Sequence, residues 1–289
     1  MSKNLLIKKK IKKFNKVIKV SGDKSLSIRW VLLASQAIGR SRGYNLLMSE
    51  DVLAAIHSIQ KLGIKVMIKK NYCEIIGNDI NGFKYKKNLT IDAKNSGTLG
   101  RLILGLLIKS PEKIKIIGDK SLSKRDFSRV TVPLKNFGVK FFYKKKNKLP
   151  LSILGTQSAE GIKYLENKGS AQCKSSIMFA ALNASGTTSI KAKKSRNHSE
   201  LLFKYLKIPI KVKKTKKFDF IDIKKPKKIN AFNYQIPGDI SSSAFFMVLT
   251  TLADNSKLLI KNVNINPSRV GVITILKKMG AQITLKNQK

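Results

Sequence analysis

A phrase that closes a helix and opens a strand recurs four times in this chain: Leu62-Gly63-Ile64-Lys65-Val66, Phe137-Gly138-Val139-Lys140-Phe141, Leu206-Lys207-Ile208-Pro209-Ile210 and Met279-Gly280-Ala281-Gln282-Ile283. The copies lie roughly 70–75 residues apart, the self-similarity of stacked supersecondary units, none of which buries its apolar face alone. Between copies the hydrophobic period changes in the same order each time. In the first unit an extended stretch to Val20 meets a polar turn at 21–24. A helix follows with Leu26, Trp30, Leu33 and Ala37 on one face, then a strand over 44–48. Ser49-Glu50-Asp51 opens a second helix, and a hairpin covers 64–76. The second unit predicts strand 89–93, helix 96–108, strand 113–117, helix 129–137 and a hairpin to 154. The third predicts strand 161–165, helix 171–182, strand 187–191, helix 197–206 and a hairpin to 223. A fourth begins at Phe232, with helix 241–253, strand 257–260 and helix 267–279. This is an α/β pattern of repeated strand–helix–strand–helix–strand–strand units. A stack that stops inside a unit exposes an apolar edge, so the chain is expected to be a fragment of a longer protein.

The first helix of each unit begins with small hydrogen-bonding residues: Gly22-Asp23-Lys24-Ser25, Asn95-Ser96-Gly97-Thr98, Gly169-Ser170-Ala171-Gln172 and Gly238-Asp239-Ile240-Ser241-Ser242. N-capping alone accounts for any one of them. The same free N–H groups and the helix dipole also favour an anion. Arginines tip the balance. Arg29 lies one turn beyond Ser25, and Arg101 one turn beyond Gly97. Arg125 follows a second Gly-Asp-Lys-Ser-Leu-Ser at 118–123, and Arg196 follows Ser195 at another helix start. Such starts facing one cleft would suit a small molecule with several negative charges.

Composition bears on which anion. The 289 residues hold 59 Lys+Arg against 16 Asp+Glu, a formal charge of +43, which invites a nucleic-acid reading. Only eight of these basic residues are arginine, and the lysines are spread along the whole chain among abundant Asn and Ile. That is the mark of drift toward AAA, AAT and ATA codons rather than of a polynucleotide footprint, so no nucleic-acid partner is expected. An arginine kept against such drift fits a job lysine cannot do, the two-pronged grip on a carboxylate or phosphate. No apolar run approaches the ~18 residues of a membrane span, so no membrane partner is expected. The basic start at 1–13 lacks the character of a targeting peptide and is read as mature structure. Cys73 and Cys173 make no disulfide framework and point to a reducing, cytoplasmic setting. His57 and His198 have no second ligand at metal spacing, and neither GxxxxGK[ST] nor GxGxxG occurs.

Taken in order, Ser21-Gly22-Asp23-Lys24-Ser25-Leu26-Ser27-Ile28-Arg29, Asn95-Ser96-Gly97-Thr98 with Arg101, Ser121-Leu122-Ser123-Lys124-Arg125 and Ser170-Ala171-Gln172-Cys173-Lys174-Ser175 resemble the EPSP synthase (3-phosphoshikimate 1-carboxyvinyltransferase) family. Ser195-Arg196-Asn197-His198-Ser199-Glu200, the helix start at Gly238 and Asn266-Pro267-Ser268-Arg269 extend the resemblance over nearly the whole chain. The resemblance implies an inside-out α/β fold of two domains, here 21–231 as a three-unit substrate-binding domain and 1–20 plus 232–289 as an incomplete second one. It implies transfer of the enolpyruvyl group from phosphoenolpyruvate to shikimate 3-phosphate with release of phosphate, on the route to chorismate and the aromatic amino acids. No cofactor or metal is expected, and the protein is expected to act as a monomer.

By the same resemblance Lys24, Ser25, Arg29, Ser170, Ala171, Gln172, Ser195 and Arg196 bind shikimate 3-phosphate. Lys24, Gly97, Arg125 and Gln172 bind phosphoenolpyruvate, with Asn95, Thr98 and Arg101 in support. Asp126 stands where the family carries Pro, placing a carboxylate beside an anion site. The family's general acid/base segments would lie past Lys289, so none is assigned and this chain alone is expected to be inactive. The alternatives are an inactive fragment that only binds substrate, or a lysine-rich nucleic-acid-binding protein. The sister UDP-N-acetylglucosamine enolpyruvyltransferases would need a Cys near position 115, which is absent, and a Lys-Asn pair near the start, where the anion-site turn here reads Lys24-Ser25.

Overall fold

The computed structural model describes Leu6 and residues 11–286. Most of the basic start at 1–13 lies outside the described residues. In chain order the strands and helices run β1 (Asn15–Lys19), α1 (Lys24–Ala34), β2 (Ile38–Tyr44), α2 (Glu50–Lys61), β3 (Lys65–Ile68), β4 (Tyr72–Asn78), β5 (Thr90–Asp92), α3 (Gly97–Leu106) and β6 (Ile114–Ile117). They continue with α4 (Ser128–Lys135), β7 (Lys140–Tyr143), β8 (Leu151–Leu154), β9 (Lys163–Glu166), α5 (Ala171–Ala181), β10 (Thr187–Lys193), α6 (His198–Tyr205), β11 (Ile210–Lys214) and β12 (Phe218–Lys224). The last are β13 (Asn233–Gln235), α7 (Ile240–Leu252), β14 (Lys257–Lys261) and α8 (Gly271–Lys278). They divide into two compact units, Lys24–Ile236 and Met1–Asp23 with Pro237–Lys289.

The repeat is realised three times in the larger unit. Its four-stranded sheets run β13-β2-β4-β3, β5-β6-β8-β7 and β9-β10-β12-β11. In each, the first pair is parallel and the other two are antiparallel. Helices α1, α3 and α5 are buried on almost every side, as an interior helix must be when apolar all round. The strands alternate instead: β10 buries Thr188, Ile190 and Ala192, and β12 buries Asp219, Ile221 and Ile223. One continuous core therefore joins helices inside to one face of each sheet, through Trp30, Ile56, Leu104, Phe127, Phe179 and Phe203. Helix α2 shows the local logic at its ends, with Ser49 at the N-cap, Glu50 and Asp51 in the first turn and Lys61 in the last.

Two expectations are corrected here. The strand expected over 44–48 is β2 at Ile38–Tyr44. Its polar sequence, Ile-Gly-Arg-Ser-Arg-Gly-Tyr, hides the period because Arg40 and Arg42 both reach the buried Glu74 of β4, at 3.5 and 2.8 Å. Moreover, the segment from Phe232 does not open a fourth unit. As β13 it supplies the first strand of the first sheet, with Asn233 opposite Arg42 and Gln235 opposite Tyr44. The unit boundary accordingly falls at 236/237 rather than 231/232. Aromatic packing holds it there: Phe232 lies 6.5 Å from Trp30 edge-on, and Tyr234 5.2 Å from Tyr205. Trp30 reaches this position over Gly43, where a Cβ would stand 2.8 Å from the indole ring.

In the smaller unit β1 pairs in parallel with β14, Asn15 opposite Lys257 and Lys19 opposite Lys261. The Asp239 carboxylate caps α7 by accepting from the Ser241 amide at 2.7 Å. Arg269 ties the start at Gly238 to the 266–269 segment, donating to Ser241 Oγ at 2.6 Å and lying 3.6 Å from Asp239. Phe245 and Leu252 of α7 stand 79% and 70% exposed.

Candidate functional site

The larger unit carries every residue singled out above for ligand binding: most lie at or within about one turn of the starts of α1, α3, α5 and α6, and Arg125 lies in the loop ahead of α4. At α3 the Ser96 side chain caps the helix by accepting from the Leu99 amide at 3.3 Å, so the helix opens on Gly97. Two guanidinium groups converge there. A Cβ at Gly97 would stand 2.7 Å from Arg101 Nη1 and 3.1 Å from Arg125 Nη1. Only glycine leaves both arginines and the helix N–H groups facing the same space.

Each member of this cluster is held by a neighbour. Arg101 donates to the Gly97 carbonyl at 3.2 Å, to Gln172 Oε1 at 2.9 Å and to the Asp126 carbonyl at 3.3 Å, and its guanidinium lies 5.0 Å over the Phe127 ring. Gln172, from the first turn of α5, donates to Thr98 Oγ1 at 3.0 Å. Arg125, exposed, donates to Asn95 Oδ1 at 3.3 Å, and Asn95 donates to Asp119 at 2.6 Å. Burial, then the like charges of Arg125 and Arg129, lower the pKa of Arg101. Cations held this close, with a helix N-terminus beside them, favour any anion that comes between.

Asp126, which threatened that preference, is turned away. Its carboxylate accepts from the Ser128 amide and hydroxyl, both at 2.7 Å. Burial pulls its pKa up, but those two hydrogen bonds, with Arg129 and Lys168, hold it below the usual carboxylate range. Its charge therefore sits at the start of α4, where it still acts on Arg101 through space and partly offsets the lowering by burial, Arg125 and Arg129, while the hydrogen bond between the two residues ends on the Asp126 backbone carbonyl.

The other starts are built differently. Ser170 caps α5 by accepting from the Cys173 amide at 3.2 Å, with Ala171 buried and Gln172 half-buried in the first turn that follows. Ser195 and Arg196 lie in the loop between β10 and α6. Ser195 Oγ is screened from solvent and has no hydrogen-bond partner among the described residues. At α1, Lys24 reaches Asp51 at 3.1 Å, and Ser25 is half-buried. Arg29 is only 3% exposed. It donates to Ser199 Oγ at 2.8 Å, Ser175 Oγ at 2.9 Å and the Ser25 carbonyl at 3.0 Å. Its described contacts thus run inward, to α5 and α6.

Burial pushes the thiols of Cys73 and Cys173 up to about 12, so Cys173, beside Gln172, is no thiolate nucleophile at neutral pH. Among the described residues no group of three or more His, Cys, Asp or Glu is placed to hold a metal ion. No described helix is long and apolar enough to cross a membrane. Sequence reasoning missed four residues behind the site: Lys174, Ser175, Ser199 and Glu200. No local signal marked the ion pair, since Lys174 stands beside Gln172, Ser175 and Ser176 as a lysine on an exposed helix face would.

The family model for EPSP synthase (3-phosphoshikimate 1-carboxyvinyltransferase) matches residues 8–289. Proteins named 3-phosphoshikimate 1-carboxyvinyltransferase from Streptococcus pyogenes serotype M2 (strain MGAS10270) and serotype M1 are each 39% identical over 272 residues, or 93% of this chain. The chain spans 62% of the length of these curated relatives. Solved structures of EPSP synthase from Acinetobacter baumannii superpose with a TM-score of 0.87 at 34% identity, covering 96% of this chain and 62–63% of theirs.

Proposed function

The chain belongs to the EPSP synthase family, and on that premise we propose that it serves the transfer of the enolpyruvyl group from phosphoenolpyruvate to shikimate 3-phosphate, with release of phosphate. In the reaction a hydroxyl of the acceptor, giving up its proton, adds to the phosphate-bearing carbon of phosphoenolpyruvate as the methylene carbon takes a proton. The resulting methyl then loses a proton as the C–O bond to phosphate breaks, which restores the enol ether and frees phosphate. The residues described here contribute the approach of two anions that repel one another in water.

The convergence of Arg101 and Arg125 on Gly97 carries the reading. It offers a doubly charged phosphate the exposed Arg125 guanidinium, the adjacent charge of Arg101 and a helix start, which we assign to phosphoenolpyruvate. Gln172 bridges that cluster to the start of α5. There Ser170, Ala171 and Gln172, with Ser195 and Arg196 at α6 and Lys24, Ser25 and Arg29 at α1, take shikimate 3-phosphate; Lys24 also meets phosphoenolpyruvate. All of these positions lie within residues 24–236 of one copy, so the reading needs no second chain, no nucleic acid and no cofactor. A cytoplasmic setting belongs to the same reading, in keeping with the two free cysteines, Cys73 and Cys173.

Calorimetry of the 289-residue chain with shikimate 3-phosphate at low salt is expected to show saturable binding without phosphoenolpyruvate. Absence of binding would overturn the site. Binding of polynucleotide that falls steeply with salt and ignores shikimate 3-phosphate would favour the lysine-rich surface instead. Arg125→Lys separates the two ligands. Lysine keeps the charge but not the planar fork, so phosphoenolpyruvate affinity should fall, with shikimate 3-phosphate saturating, by about tenfold. Shikimate 3-phosphate affinity should hold. An equal loss for both ligands would make Arg125 a residue of the fold.

A further inference from the structure

Behind the helix starts lies a polar network that the proposed reaction does not use. Lys174, in the first turn of α5, is fully buried and lies 2.6 Å from Glu200 in the first turn of α6, itself 5% exposed. Beyond this ion pair, Lys174 Nζ and both Glu200 oxygens have no hydrogen-bond partner among the described residues. Next to the pair on each helix, one residue after Lys174 and one before Glu200, the Ser199 hydroxyl donates to Ser175 Oγ at 2.7 Å, and Arg29 of α1 donates to both.

A buried pair of this kind is a poor stabiliser. Withdrawing both charges from water offsets their attraction, and well-packed apolar residues of the same volume serve stability as well or better. What apolar residues lack is direction: they tolerate sliding, whereas an isolated buried charge pair accepts one placement of its two helices. Both residues are too buried to reach a ligand, yet both stand in the turns that present the candidate ligand contacts. Lys174 is two residues past Gln172, and Glu200 four past Arg196.

We propose that the Lys174–Glu200 pair is a positioning device, holding the start of α6 with Ser195 and Arg196 against the start of α5 with Ser170 and Gln172 at the separation that one phosphorylated ligand bridges. The ligand's identity rests on the shikimate 3-phosphate reading above; the coupling of the two helix starts does not.

The test replaces the pair by apolar residues of similar size, Lys174→Met with Glu200→Leu. The thermal midpoint should stay at or above that of the wild type. Amide exchange at residues 173–176 and 200–203 should quicken by about tenfold, and shikimate 3-phosphate affinity should fall by about tenfold. Exchange in β6 and β8 should not change. Swapping the charges, Lys174→Glu with Glu200→Lys, should recover both readouts in part, which a loss of packing alone would not allow. Wild-type exchange and wild-type affinity in the apolar variant would overturn the proposal, as would a charge swap that behaves like the apolar pair. Should the wild type itself bind no shikimate 3-phosphate, the functional reading fails and the exchange measurement alone decides the positioning role. If the apolar variant does not fold, Glu200→Gln, which keeps the shape and removes the charge, is read in the same way.

Discussion

Replacing Arg29 by alanine is expected to lower both the stability of the larger unit and its affinity for shikimate 3-phosphate. Two of the arginine's hydrogen bonds end on Ser199 and Ser175, hydroxyls that are themselves buried. Hydrogen bonds to a charged group contribute about 1.5–3 kcal/mol each, and part of that is returned because the guanidinium no longer has to be desolvated. A net loss of about 2–4 kcal/mol follows, which for a unit of this size lowers Tm by roughly 5–15 °C. Affinity should fall by about tenfold or more, since α1 loses its tie to the starts of α5 and α6 as well as a ligand contact. Arg29→Lys should recover little of either, because one ammonium cannot span two hydroxyls and a carbonyl as the planar fork does. Thermal unfolding and calorimetry on the same preparations check this. Unchanged unfolding with reduced affinity would mean that Arg29 serves the ligand alone.

Gly97→Ala should act on the ligand and leave the fold intact. The added methyl meets Arg101 Nη1 at 2.7 Å and Arg125 Nη1 at 3.1 Å, with Leu122 Cδ1 at an ordinary 3.6 Å. Both close contacts are the far ends of long side chains, which can swing aside at small cost to stability, and alanine suits the first turn of a helix. Swinging Arg101 breaks its bonds to the Gly97 carbonyl and Gln172, however, and spreads the two guanidinium groups that define the proposed phosphate site. Phosphoenolpyruvate affinity should fall by about ten- to a hundredfold, the loss of one or more charge-assisted hydrogen bonds. Shikimate 3-phosphate affinity should change little, since Ser170, Ser195 and Arg196 sit at other helix starts. Equal losses for the two ligands, or a large drop in Tm, would show that Gly97 serves packing instead.

The order of elements was legible because its causes are local. Alternation marks β10 and β12, a 3.6-residue period with caps marks α2, and the recurrence of helix-ending phrases every 70–75 residues announces three like sheets. The small, polar helix starts and their arginines were equally readable, because capping and anion binding draw on residues within one turn. The family followed from their order.

What the local pattern could not carry is any relation whose energy comes from partners far along the chain. The strand at 38–44 looks like a loop until Glu74, more than thirty residues on, gathers its two arginines. The first sheet is completed by Asn233–Gln235 because Phe232 and Tyr234 find Trp30 and Tyr205, and no periodicity in a three-residue strand announces that. In sequence Arg29 read as a ligand contact alone, and only tertiary packing shows the three contacts it makes within the protein, to a backbone carbonyl one turn away and to hydroxyls 146 and 170 residues distant. Lys174 and Glu200 are ordinary helix residues in sequence. Only the approach of α5 to α6 removes them from water and leaves each as the other's counter-charge, since desolvation is a property of the packed chain and not of any segment of it.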